Sequence, residues 1–90
     1  MSITVKVDRG LRKFTDGKES LEVEGNSPME CLHALEARFP DFKRVLYDKQ
    51  GKLRPQVLFC VNDQRIHADE LNNTLKNGDE VLILFAIGGG

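Results

Sequence analysis

Ninety residues with a formal net charge of −1 make one domain. A chain of this size buries a little over ~60% of its unfolded surface, so its core is adequate but thin. Acids and bases are interspersed, which argues against nucleic acid as a partner, and no apolar run approaches the ~20 residues of a membrane span.

Met1-Ser2 opens no signal peptide, so a cytoplasmic protein, monomeric when free, is expected. Cys31 and Cys60 are far apart, too few for a disulfide framework, and without metal-ligand spacing. No resident metal or cofactor is expected.

In chain order, Ile3-Thr4-Val5-Lys6-Val7 alternates and predicts a half-buried strand with Ile3, Val5 and Val7 inward. Asp8 to Lys18 reads as a connection with turn signals at Arg9-Gly10 and Asp16-Gly17, tucking Leu11 and Phe14 against the core edge. Ser20-Leu21-Glu22-Val23 alternates again and completes a hairpin. Ser27-Pro28-Met29-Glu30 predicts a helix start: Ser27 as cap, Pro28 at the first helical position, and Glu30 closing a capping box. Met29, Leu32, Leu35 and Phe39, with Ala34 alongside, recur at helical spacing, and Pro40 stops the helix. A short second helix is expected over Phe42 to Tyr47, then a polar loop over Asp48 to Pro55.

Val57-Leu58-Phe59-Cys60-Val61 is a continuous apolar run, and Asn62-Asp63 turns the chain toward a short strand. Leu71 and Leu75 are spaced like one turn of helix. Asn77-Gly78-Asp79 is a turn, and Val81 to Ile87 is apolar throughout. The order is β-β-α-β-(short β)-β, an α+β fold with a mixed sheet of four to five strands and one main helix across one face.

Two strands carry more apolar residues than one face can use. If Val57, Phe59, Val61, Val81, Ile83 and Phe85 point inward, then Leu58, Cys60, Leu82 and Leu84 share the other face. Contiguous apolar patches of that kind mark partner sites. Cys60 reads as a small hydrophobe rather than a reactive thiol. His33 and His67 share no spacing with a nucleophile or second ligand and are expected at the surface.

The sequence closes on Gly88-Gly89-Gly90, directly after the final apolar run. Glycines without Cβ can thread a narrow channel. The division expected is a domain over residues 1–87 and a flexible tail over 88–90, with the α-carboxylate of Gly90 at its tip.

These features together resemble the bacterial ubiquitin-like sulfur-carrier family, which includes the small subunit of molybdopterin synthase and the thiamine sulfur carrier. The residues that carry the resemblance are Val61-Asn62-Asp63, Asn77-Gly78-Asp79-Glu80-Val81-Leu82-Ile83, and Gly89-Gly90. Leu11-Arg12 with Thr15 and Gly17, and Gly51-Lys52-Leu53 with Val57, look closest to the branch used in a cysteine-forming pathway. Phe85-Ala86-Ile87 departs from the family, which often has prolines there, and Gly88 adds a third glycine. The resemblance implies a β-grasp fold and a carrier that is not itself an enzyme. It also implies two partners, a ubiquitin-activator-like adenylating enzyme and a sulfur-accepting synthase. ATP and a sulfur donor are used by the partner, Gly90 is the modified residue, Gly88 and Gly89 form the thread, and Leu58, Cys60, Leu82 and Leu84 form the docking surface. Other readings are a protein modifier conjugated through Gly90 to lysines, a ferredoxin-type protein, which would need four cysteine ligands, and an RNA-binding module, disfavoured by the charge.

Overall fold

Alternation of apolar and polar residues produces the first hairpin. In the computed structural model, which describes residues 2–86, β1 (Ser2–Val7) pairs antiparallel with β2 (Ser20–Glu24), setting Ile3 opposite Val23 and Val5 opposite Leu21. These four side chains are buried. The connection expected as turns is instead a 3-10 helix over Arg9–Phe14 with Leu11 buried. It closes on Thr15, a buried polar residue whose hydroxyl lies 3.2 Å from the Arg12 carbonyl and 2.9 Å from that of Lys18. Gly17, at φ +79, then lets its N–H reach the Arg12 carbonyl at 2.7 Å.

Ser27 caps α1 (Pro28–Arg38), its hydroxyl accepting the Glu30 N–H at 3.1 Å. The Glu30 carboxylate reaches past the cap to the Asn26 N–H at 2.7 Å, one residue earlier than the expected box. Pro40 both stops α1 and starts α2 (Pro40–Leu46). It has no N–H for the α1 ladder and keeps Phe39 out of the helical region, at φ −133 and ψ 82, yet its fixed φ suits a first helical position. The buried residues of these two helices are Pro28, Cys31, Leu32 and Leu35 from α1 and Phe42 and Leu46 from α2. Met29 and Phe39, expected on the inner face, are partly buried and pack against this core.

β3 (Val57–Val61) and β4 (Gln64–Ile66) are joined by Asn62 and Asp63, both at positive φ, +50 and +69. That is the geometry of the two-residue turn whose twist matches a β-hairpin. β5 (Glu80–Phe85) fills the centre, parallel to β1 and antiparallel to β3, giving the order β2-β1-β5-β3-β4. The helical turn expected around Leu71 and Leu75 does not form; a 3-10 helix covers only Ala68–Glu70. Both leucines are nonetheless buried. The Leu71 N–H closes that short helix on the Ala68 carbonyl (3.3 Å), and the segment is otherwise tied to the start of α1: the Met29 N–H donates to the Leu71 carbonyl (2.9 Å), and the Leu75 N–H to the Asn26 carbonyl (2.7 Å). The architecture is the expected α+β arrangement, a five-stranded mixed sheet with the helices across one face.

Candidate functional site

Strand register defines a surface on the sheet face away from the helices. Val57, Phe59, Val81 and Ile83 point into the core and are buried. The period of two then turns Leu58, Cys60, Leu82 and Leu84 to the other side, where all four are partly buried rather than fully exposed. Leu58 sits opposite Leu84, and Cys60 opposite Leu82, so the four form a compact quartet across β3 and β5. The helical layer lies behind the sheet and leaves them uncovered. Leu53 and Tyr47, joined by an isolated bridge, pack against the core, so the loop between them belongs to the helical side.

Polar side chains border the quartet. Lys6 sits beside Leu82 on β1 and pairs with the Glu80 carboxylate at 2.9 Å, which raises the Lys6 pKa above its usual value. Arg65 sits beside Cys60 on β4 and is exposed. Sequence reasoning passed over Arg65, although the two-residue turn at Asn62-Asp63 fixes the pairing of Cys60 with it. The quartet also adjoins the end of the described chain: Leu84 is two residues before Ala86, whose N–H donates to the Gln56 carbonyl at 2.8 Å. Gly88, Gly89 and Gly90 lie outside the described residues, as does Ile87.

The motifs Val61-Asn62-Asp63 and Asn77-Gly78-Asp79-Glu80 prove to be structural partners. Asn62 Nδ2 donates to Asp79 Oδ1 (2.9 Å), Asn62 Oδ1 accepts the Glu80 N–H (3.0 Å), and the Asn62 N–H donates to the Glu80 carbonyl (3.0 Å). Asp79 Oδ2 accepts the Lys76 N–H at 2.7 Å. These bonds, that from Lys76 first, hold the Asp79 carboxyl below its ordinary pKa. This clip sets the head of β5 against the β3–β4 turn, and so sets the rows of the quartet.

Cys60 lies in the quartet, partly buried, whereas Cys31 is buried in α1 and burial pushes its thiol up to about 11. His33 and His67 are exposed on separate elements. Among the described residues no group of three His, Cys, Asp or Glu could hold a metal ion, and no helix is long and apolar enough to cross a membrane. A concavity of about 900 Å³ lies on the helical side between α1, α2 and the loop after Tyr47, and has Lys43, Lys49 and Arg54 in its walls. It faces away from the quartet.

The model of the ThiS family matches residues 5–90, and no curated protein matches the chain. Among solved structures, a chain of the BexX/CysO complex of Amycolatopsis orientalis is 31% identical over 98% of this chain and 99% of that one, with a TM-score of 0.82. CysO of Mycobacterium tuberculosis is 31% identical over 94% of this chain and 99% of its own, with a TM-score of 0.79. Small archaeal modifier protein 1 of Methanosarcina acetivorans is 27% identical over 99% of this chain and 96% of its own, with a TM-score of 0.85. With a family match across nearly the whole length and β-grasp neighbours that superpose end to end, the chain belongs to the ThiS family of ubiquitin-like sulfur-carrier and modifier proteins.

Proposed function

We propose that this protein is a sulfur carrier whose Gly90 carboxylate is adenylated and then converted to a thiocarboxylate. The observation that carries the reading is the family match through residue 90, on a chain whose relatives of known structure include two from CysO structures. A carboxylate is a poor electrophile. Attack by its oxygen on the α-phosphate of ATP releases pyrophosphate and leaves an acyl-adenylate. A sulfide equivalent then adds at the acyl carbon and expels AMP, leaving sulfur where one oxygen was. This chemistry belongs to a ubiquitin-activator-like adenylating enzyme, and a sulfur-accepting synthase draws the sulfur away, so the protein is a cosubstrate and not an enzyme.

Reach links the tail to the sheet. The four residues beyond Ala86 span at most about 14 Å when fully extended. An active site that takes Gly90 must therefore open close to the end of β5, and the Leu58–Leu84 row lies one residue short of that end on the outer face. Docking on Leu58, Cys60, Leu82 and Leu84, with Gly88 and Gly89 as the thread, satisfies that limit. A relative crystallised in complex with BexX supports a carrier that works by docking. The likeness to a small archaeal modifier protein favours, as second reading, conjugation through Gly90 to lysines.

Intact-mass analysis separates the two. With the adenylating enzyme of the same organism, ATP and sulfide, the carrier reading expects one oxygen replaced by one sulfur, lost when Gly90 is deleted. Sulfur loading that survives the deletion overturns it, and lysine-linked adducts without a thiocarboxylate favour the modifier.

A further inference from the structure

The outward residues of the sheet change character from one edge to the other. On β2 they are Ser20, Glu22 and Glu24; on β1, Ser2, Thr4 and Lys6; on β5, Glu80 at the head and then Leu82 and Leu84; on β3, Leu58 and Cys60; on β4, Arg65. One register row crosses most of the sheet, with Lys6 beside Leu82, Leu82 beside Cys60, and Cys60 beside Arg65. Strands stand about 4.8 Å apart, so the acidic edge at β2 and the guanidinium side at β4 are separated by roughly 19 Å.

The charges at the two ends differ in how they are used. Lys6 is tied to Glu80, which removes it as a separate positive pole. Glu22 is exposed; among the described residues its carboxylate accepts the neutral hydroxyl of Ser2 at 3.1 Å, while Arg38 Nη1 donates to its backbone carbonyl at 3.2 Å and not to the carboxylate. Arg65 is exposed with no ion pair to a described carboxylate within 4.0 Å. With a net charge of −1 the whole molecule has almost no monopole, so this face steers by its polarity.

We infer that the sheet face is an oriented docking plate for a partner whose surface presents an apolar patch to the quartet, acidic side chains over Arg65 and basic side chains over Glu22. An apolar quartet alone binds without preferring one rotation about the sheet normal. Charges of opposite sign on its two flanks favour one rotation and penalise the reverse through like-charge contact. Rotation matters because the tail is short: turning the partner half-way round carries its active site from the end of β5 to the beginning, beyond the reach of residues 87–90. The inference rests on the proposed carrier function and names the chemistry of the partner that docks there.

The test uses the full chain and the adenylating enzyme of the same organism, with surface-plasmon binding and thiocarboxylate formation read in parallel at low and high salt. Arg65→Glu and Glu22→Lys are each expected to weaken binding about tenfold at low salt. The loss should nearly vanish at high salt, appear in KM more than in kcat, and be absent from Arg65→Lys. Lys49→Glu, on the helical side, should bind as the parent does. If Arg65→Glu and Glu22→Lys bind as the parent does, or Lys49→Glu weakens binding as much as they do, the oriented plate is wrong while the carrier function stands. If the parent protein binds the enzyme but is never loaded with sulfur, the carrier function fails and takes this inference with it.

Discussion

Asn62 and Asp79, seventeen residues apart, meet through a 2.9 Å hydrogen bond from Nδ2 to Oδ1 that fastens the β3–β4 turn to the head of β5. The backbone at Asn62 is left-handed, at φ +50, where asparagine is tolerated better than most residues. Alanine there would lose two side-chain hydrogen bonds and stay in an unfavourable conformation. Asn62→Ala should cost about 1–2 kcal/mol in denaturant unfolding. An unchanged midpoint would remove the clip from the account of how the quartet is held in register.

The same clip makes stability depend on acidity. Hydrogen bonds from Lys76 and Asn62 hold the Asp79 carboxyl below its ordinary value of 3.8. A carboxyl depressed on folding stabilises the protein above its unfolded pKa and loses that contribution as pH falls through the folded value. Asp79→Asn should therefore unfold with a flatter pH dependence below about pH 4 than the parent. Denaturant titrations at neutral and acid pH measure the difference, and parallel curves would contradict it.

Gly25 lies against α1. A Cβ there would meet Cys31 Sγ at 2.9 Å and Cys31 N at 3.1 Å, closer than side chains pack. Gly25→Ala should therefore destabilise by about 1–3 kcal/mol. Adding Cys31→Ala should recover part of this, because the sulfur contact disappears and the backbone contact remains. Additive losses in the double variant would show that the two residues do not press on each other.

The two cysteines should react in sequence. Cys31 is 1% exposed and its thiol is pushed up to about 11, so a thiol-specific reagent near pH 8 should spare it until the protein unfolds. Cys60, partly buried on the sheet face, should be modified in the native state. Under the proposed docking, bound adenylating enzyme should protect Cys60 and leave Cys31 silent as before. Labelling of Cys60 at an undiminished rate in the complex would place the partner elsewhere.

Most of the fold was legible because period-two alternation and the Ser27-Pro28 helix start are local signals. The inward and outward sets of β3 and β5 followed from the same alternation, so the quartet could be named before its neighbours were known. The excess of apolar residues on β5 also has a structural reason: it is the central strand, flanked by β1 and β3. Where the reading went astray, distant partners decided the outcome. Leu71 and Leu75 have helical spacing, but the Leu71 carbonyl and the Leu75 N–H bond to Met29 and Asn26, which spacing cannot reveal. Thr15 looks like a turn residue and is buried because two carbonyls of the 3-10 connection converge on its hydroxyl. Asn62 and Asp79 stood out as motif residues, yet their joint role needed the fold that brings them together.

Leu84 and Ile83 are neighbours on opposite faces of β5, and replacing each with glutamate separates docking from folding. Ile83 is 1% exposed among the core residues, so Ile83→Glu buries an unpaired carboxylate at a cost of several kcal/mol and should prevent folding. Leu84 faces away from the helices beside Leu58, partly accessible, so Leu84→Glu should keep its cooperative thermal transition with a modestly lowered midpoint. Its binding to the adenylating enzyme should drop far more than its stability, because a carboxylate would stand in the middle of the apolar contact. Circular dichroism melts and binding measured on the same preparations make the comparison. Unfolding of Leu84→Glu to the same degree as Ile83→Glu would show that the outer face is packed as part of the core, and would leave the tail without the docking surface its short reach requires.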